Sequence, residues 1–306
     1  MRLEELIEII QQVMPHRNDL VQRSVRSENK SSLCPPYYSS YDSAGLLNIS
    51  NIPIHSLDIK RVGVCVAITK DTIKEIEKRK IDFIIVHQVE NLDDKTYEMN
   101  AYRQVNGLSI GVYGLYLPLD TEPDGVNDSL ASIFGFPKSN VRPVIREMTS
   151  VRIVGDWCQG RETHVSRLER GAVLGTLPPK HLLPIDYFVE TFNDSFHSHP
   201  SKIKPVIDNN SGYNIYTVVI STCPSIDIEF LEQIRKYTAD KPQLCITGKV
   251  DDKTRQHAHK LGISLMILGD YEAHYFGMKQ FTSRLSSELV SKTGARAIFI
   301  PNYSTK

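Results

Sequence analysis

Cysteine is scarce in this sequence, and what there is has no pattern. The five residues, Cys34, Cys65, Cys158, Cys223 and Cys245, are odd in number, form no C-x-x-C pair and sit partly inside apolar runs. They read as reduced thiols of a cytosolic protein, and none has a visible base partner that would mark it as a nucleophile. An excess of either charge is also lacking. Thirty-six basic and thirty-six acidic side chains cancel, so no global field recruits nucleic acid, an anionic membrane or an acidic substrate. No apolar run reaches membrane-spanning length, and the opening MRLEELIEIIQQV interleaves charge with apolar residues, unlike the continuous apolar centre of a signal peptide. There is no short-period repeat, no low-complexity tract, and no G-x-x-x-x-G-K-[ST], G-x-G-x-x-G or G-x-S-x-G. These absences imply a soluble, cytoplasmic protein without a familiar nucleotide cradle or nucleophile elbow.

What is present is an alternation of strands and helices. Leu3, Leu6, Ile7 and Ile10 recur at helical spacing, which predicts an amphipathic helix ending near Pro15. A polar stretch through CPPYYSSYDS reads as a long loop. RVGVCVAIT, KDTIKEIEKRK and IDFIIVHQVE then read as strand, helix, strand, a βαβ unit with parallel pairing. LSIGVYGLYLPLD predicts a further strand, followed by a Pro-Asp-Gly turn and a short helix for which Asn127 or Asp128 is the expected cap. Positions 145–215 carry scattered prolines and histidines with short β-like runs. From YNIYTVVIS onward the alternation resumes, closing with the amphipathic MKQFTSRLSSELVSKTG and the short strand ARAIFIP. The chain is long enough for one large domain or two smaller ones, and each half contains a strand, helix, strand order.

In open parallel sheets, ligands collect at the carboxyl ends of strands. His87 and Gln88 are expected to end one strand, Asp120 to end another, and Asp270 to follow a third. His274, four residues after Asp270, shares its helix face. Two imidazoles, two carboxylates and an amide oxygen form a mixed donor set suited to Zn, Mn, Fe, Co or Ni rather than Ca. Each position also has an ordinary structural reading. Asp270 suits a helix start, the Asp270 and His274 pair a surface contact, His87 a satisfied sheet-edge histidine, and Asp120 a turn. His197 and His199 fall in a serine-rich stretch before Pro200 that reads as a solvated loop, and His257 and His259 point in different directions on a helix.

Taken in order, YDSAGLLNI, DFIIVHQ, GVYGLYLPLDTEPDGVNDSLASIFGF, LCITGK and LGDYEAHYFG resemble the markers of the Nif-three-like family, whose members are also labelled type 2 GTP cyclohydrolase homologues. The resemblance covers nearly the whole chain. It implies an α/β fold of two related α/β domains, the second inserted in the first, with boundaries at 1–142 plus 243–306 and at 143–242. It also implies a ring-shaped homohexamer and a dinuclear metal centre whose shell maps onto His87, Gln88, Asp120, Asp270 and His274. Those positions are where the chain departs from the family pattern. HQ stands for two consecutive histidines, Asp270 and His274 stand for His followed by Glu, and Lys253 takes the place of a helix histidine. The helix still offers one imidazole and one carboxylate on one face, while Gln88 is a weaker ligand than the imidazole it replaces. One or two divalent transition-metal ions are therefore expected. The leading reading is a metal-dependent hydrolase acting on a small-molecule substrate through an activated water, with Glu90 or Glu272 as general base. The alternative is a non-catalytic ring-shaped scaffold or regulatory binding protein with a drifted or structural metal site. GTP ring-opening rests on the family label alone.

Overall fold

Strand β2 (Arg61–Ala67) is apolar on both faces, with Val62, Val64, Cys65 and Val66 all buried. Such a run needs cover above and below, which a parallel sheet flanked by helices supplies. The computed structural model describes residues 1–14, 45–49, 58–88, 110–154, 161–177, 182–196, 205–208, 214–222, 226–238 and 243–301. The chain divides into two compact units and contains two sheets.

The first unit contains both chain ends. Its sheet has the order β1-β4-β3-β2-β11, formed by β1 (Gly45–Ile49), β4 (Gly111–Gly114), β3 (Phe83–Gln88), β2 and β11 (Arg296–Phe299). The last four are parallel, and β1 runs antiparallel to β4. The N-terminal helix α1 (Leu3–Val13) ends where the sequence predicts and buries Leu3, Leu6, Ile7, Ile9 and Ile10. Helix α2 (Lys70–Arg79) links β2 to β3 as the βαβ reading requires. Thr69 caps it by accepting from the Thr72 N–H at 3.2 Å, and Lys80 closes it in the left-handed conformation (φ 51°). Ile73 and Ile76 of α2 pack with Cys65, Ile84, Val86, Val112 and Ile300 in one buried cluster.

Most of the sheet β5-β6-β8-β9-β10-β7 belongs to the second unit, which takes in Asp120–Met148 and Arg167–Gly277. Its strands are β5 (Val141–Val154), β6 (Arg161–Thr176), β7 (Val206–Asp208), β8 (Thr217–Ser221), β9 (Gln243–Thr247) and β10 (Ile263–Ile267). β8, β9 and β10 are parallel, while β6 and β7 run antiparallel to β8 and β10. The boundaries implied by the resemblance place β9 and β10 with the first domain, yet both strands are hydrogen-bonded into the sheet of β8. The reason is register: Thr217, Gln243 and Ile263 align across three buried apolar strands.

Helices α6 (Ile228–Thr238) and α7 (Asp252–Leu261) make the crossovers between these strands. Asp251 caps α7 by accepting from the Thr254 N–H at 2.7 Å, and Gly262 ends it at φ 67°. Phe230, Leu231 and Ile234 of α6 join Ala258, Val219, Cys245 and Leu265 in the core. Helix α5 (Ile185–Ser195) lies in the stretch read only as looser β-like structure. It carries a helical apolar spacing at Ile185, Phe188 and Phe192, all buried, which its aromatic, low-propensity composition disguises. The closing helix α8 (Asp270–Thr293) is longer than expected, taking in both the Asp270 segment and the terminal amphipathic stretch.

Two cysteines, Cys65 and Cys245, are described; both are buried and neither is in a disulfide. Burial pushes the Cys65 thiol from 9.0 up to about 12. The unfolded chain therefore releases this proton before the folded chain does. The stability this contributes is complete below about pH 9 and is lost as pH rises towards about 12. Because the thiolate is the nucleophile, native protein at pH 8 is expected to leave Cys65 unlabelled by a maleimide and to label it only after denaturant unfolds the chain. Labelling of Cys65 at the rate of a free peptide thiol in native buffer is the contrary result, read by peptide mass spectrometry. Among the described residues no helix is long and apolar enough to cross a membrane.

Candidate metal centre

Three buried polar side chains define the site: His87 at 1% exposure, Asp120 at 1% and His274 at 0%. Groups with such strong hydration are rarely placed in so dry a position without a partner. One ligand atom from each lies within 4.8 Å of the others.

His87 is next to last in β3, at the carboxyl end of the parallel strands. Backbone pairing continues beside it, since the Leu115 N–H donates to Val86 O at 2.8 Å. Asp120 arrives differently from the sequence expectation. β4 stops at Gly114, and Asp120 belongs to a short helix, α3 (Tyr116–Thr121), instead of ending a strand. The LYLPL run read as strand is helical from Tyr116 onward.

The next helix, α4 (Val126–Ile133), begins at Gly125 without a side-chain cap, so neither Asn127 nor Asp128 has the capping role expected of it. Asp128 instead accepts from the Asp124 N–H at 2.7 Å. Asn127 does something the sequence did not signal. Its Nδ2 donates to Asp120 O at 3.0 Å, while its Oδ1 accepts from the Thr222 N–H and Oγ1, both at 3.0 Å. A buried amide thus ties the Asp120 backbone to the residue just beyond β8.

His274 sits one turn into α8. Its Nδ1 lies 2.6 Å from Asp270 O, and a carbonyl only accepts, so Nδ1 carries the proton in the neutral ring. Nε2 is left with its lone pair and lies 3.5 Å from Asp120 Oδ1. This is the arrangement by which a backbone carbonyl orients a ligating imidazole. Gly277 lets the helix come this close: a Cβ there would stand 2.7 Å from the Val126 Cα at the start of α4. The backbone atom cannot rotate away, so any larger residue would lever α8 off α4.

The other candidates have different surroundings. The Asp270 carboxylate is not in the group with His87, Asp120 and His274. Its Oδ2 pairs with Lys249 Nζ at 2.9 Å. Glu272 lies near the left-handed turn at Gly269 (φ 98°), where a Cβ would meet Glu272 Oε2. Burial raises the Glu272 carboxyl above its usual range, against the lowering effect of its own backbone N–H and with a smaller raising effect of the Asp270 charge. Gln88 is the last residue of β3, but its side chain lies outside the described residues, as do Glu90, His197, His199 and the loop 24–41.

Compared with known protein families, residues 25–306 match Duf34/NIF3 (NGG1p interacting factor 3). The chain belongs to the Duf34/NIF3 family. A Methanocaldococcus jannaschii protein named GTP cyclohydrolase 1 type 2 homolog is 22% identical over 245 residues, covering 76% of this chain and 82% of that protein. The Duf34/NIF3 fold is also evident among solved structures. The Bacillus cereus protein related to NIF3 has a TM-score of 0.66 at 12% identity, covering 97% of this chain and 96% of its own. Reduced HcgD from Methanocaldococcus jannaschii has a TM-score of 0.60 at 17% identity, covering 98% and 97%. Within this Duf34/NIF3 chain, sequence reasoning named His87, Asp120 and His274 but missed Lys249 and mistook the role of Asn127. Lys249 comes just after the ITG of the LCITGK marker's strand, yet nothing in the sequence ties it to a residue twenty-one positions on.

Proposed function

We propose that the protein is a metal-dependent hydrolase in which His87, Asp120 and His274 hold a divalent transition-metal ion. The observation that carries this reading is the buried group of two imidazoles and one carboxylate, with His274 held in the tautomer that offers Nε2. Three protein ligands of this type are the usual number in catalytic sites, which keep a further position open. Nitrogen and carboxylate donors suit Zn, Fe, Mn, Co or Ni. When bound, such an ion supplies Lewis acidity and lowers the pKa of a coordinated water.

The protein's own part is positional. Asn127 holds the Asp120 backbone, Asp270 O fixes the His274 ring, and Asp120 supplies the negative charge of the group. Glu272, whose burial favours its protonated form, is the candidate for proton transfer. A ring-shaped homohexamer and a small-molecule substrate are part of the same proposal, by likeness to the family. GTP ring-opening is not, because the sequence holds no phosphate-binding motif to go with the relative's name.

The test is elemental analysis of protein purified without a histidine tag. Bound Zn, Fe, Mn, Co or Ni close to stoichiometric is the expected result. No metal, even after dialysis against each ion, would replace this reading with that of a scaffold.

A further inference from the structure

The sequence offers Asp270 as a metal ligand, but its carboxylate is engaged elsewhere. Oδ2 is 2.9 Å from the Lys249 ammonium, and Oδ1 lies 3.0 Å from the point where a Cβ on Gly248 would stand. Both oxygens therefore face the turn after β9. That turn is fixed in place by the backbone: the Leu268 N–H donates to Thr247 O and the Gly269 N–H to Gly248 O, each at 2.9 Å. Thr247 Oγ1 also donates to Lys249 O at 3.2 Å. Lys249 and Asp270 are thus presented to one another by two zipped strand ends, and not by two long side chains meeting by chance. Gly248 is the residue that makes room, since any side chain there would displace the carboxylate.

Charge balance bears on how many ions the centre can hold. Among the described residues, the group of His87, Asp120 and His274 contains a single carboxylate, which offsets half the charge of one divalent ion. A second divalent ion sharing Asp120 would need another anion to support it. Asp270, the carboxylate one turn before His274 on the same helix, is already paired with an ammonium in contact with it. A dication beside Asp270 would meet the like charge of Lys249 or have to break its ion pair.

We propose that Lys249 is the resident counter-cation of Asp270, withholding that carboxylate from metal, so that the centre takes one divalent ion per chain. This rests on the proposed metal site and adds to it the number of ions and the role of two residues. Asp270 then serves the ion only through its backbone carbonyl, which orients the His274 ring.

Mn²⁺ and Zn²⁺ binding to full-length protein, measured by equilibrium dialysis with elemental analysis, tests it. Wild type is expected to saturate at one ion per chain. Asp270→Asn is expected to keep that ion with affinity within about threefold of wild type, because the backbone carbonyl is unchanged. A loss of about 10-fold or more, the scale at which even outer-shell partners of a metal count, would overturn the proposal. Lys249 is half exposed, so its replacement leaves the core intact. Lys249→Met is expected to raise the saturating Mn²⁺ above one per chain by releasing Asp270, and Lys249→Arg to hold it at one. Unchanged stoichiometry in Lys249→Met overturns the withholding role. Two ions in wild type overturn this proposal while leaving the metal site intact; none would remove both.

Discussion

Asp120→Ala is expected to abolish metal binding while leaving the metal-free protein folded. The carboxylate is buried, faces His274 Nε2 at 3.5 Å and is the one anionic donor in the group. Its removal leaves two neutral imidazoles, which hold a divalent ion without charge compensation. Outer-shell changes at metal sites cost about 10–100-fold in affinity, so the loss of a charged ligand is expected to exceed about 100-fold. The effect on folding differs in kind. A buried carboxylate carries a desolvation cost of its own that its removal relieves, so the thermal midpoint of the metal-free variant is expected near that of metal-free wild type. Metal content by elemental analysis and unfolding by circular dichroism separate the two effects. Wild-type metal content in a folded Asp120→Ala protein would show that the ion, if any, lies elsewhere.

The second large effect is expected at Asn127. Replacement by alanine removes three hydrogen bonds at once, to Asp120 O, the Thr222 N–H and Thr222 Oγ1, all in a buried setting. A buried polar group left without its partner costs about 1–3 kcal/mol, and here two backbone groups are stranded together. A destabilisation of about 3 kcal/mol is expected, with a fall in thermal midpoint of roughly 6–12 °C for a unit of this size. Thr222→Val, which removes the hydroxyl alone, is expected to lose about 1 kcal/mol. Because Asn127 also fixes the backbone of Asp120, metal affinity in Asn127→Ala is expected to fall by about 10-fold. Equal midpoints for Asn127→Ala and wild type would mean that water or a shifted backbone replaces the amide completely.

These effects show where sequence reasoning reaches its limit. Strand-end placement is right for His87 alone; the sequence selects Asp120 and His274 together with Gln88 and Asp270 by residue type and by the resemblance, and Asp120 reaches the group from a helix. The same reasoning gives Asp270 and His274 a common fate, since both lie on one turn of one helix. Their side chains diverge because what lies opposite each differs: Lys249 for the first and Asp120 for the second. Asn127 is read from local capping preference, which competes poorly with two buried backbone groups that need a partner.

The sequence by itself determined the α/β class and the βαβ order in each half, through periodicity that acts over a few positions, and its five candidate ligands include the three residues that meet. Only the tertiary structure decided the assignment of β9 and β10 to the sheet of β8, the helical setting of Asp120 and the pairing of Lys249 with Asp270. Each of these depends on register between segments distant along the chain. Local pattern sets which face of a strand is buried, but which distant segment pairs with it is decided by the buried surfaces that fit together.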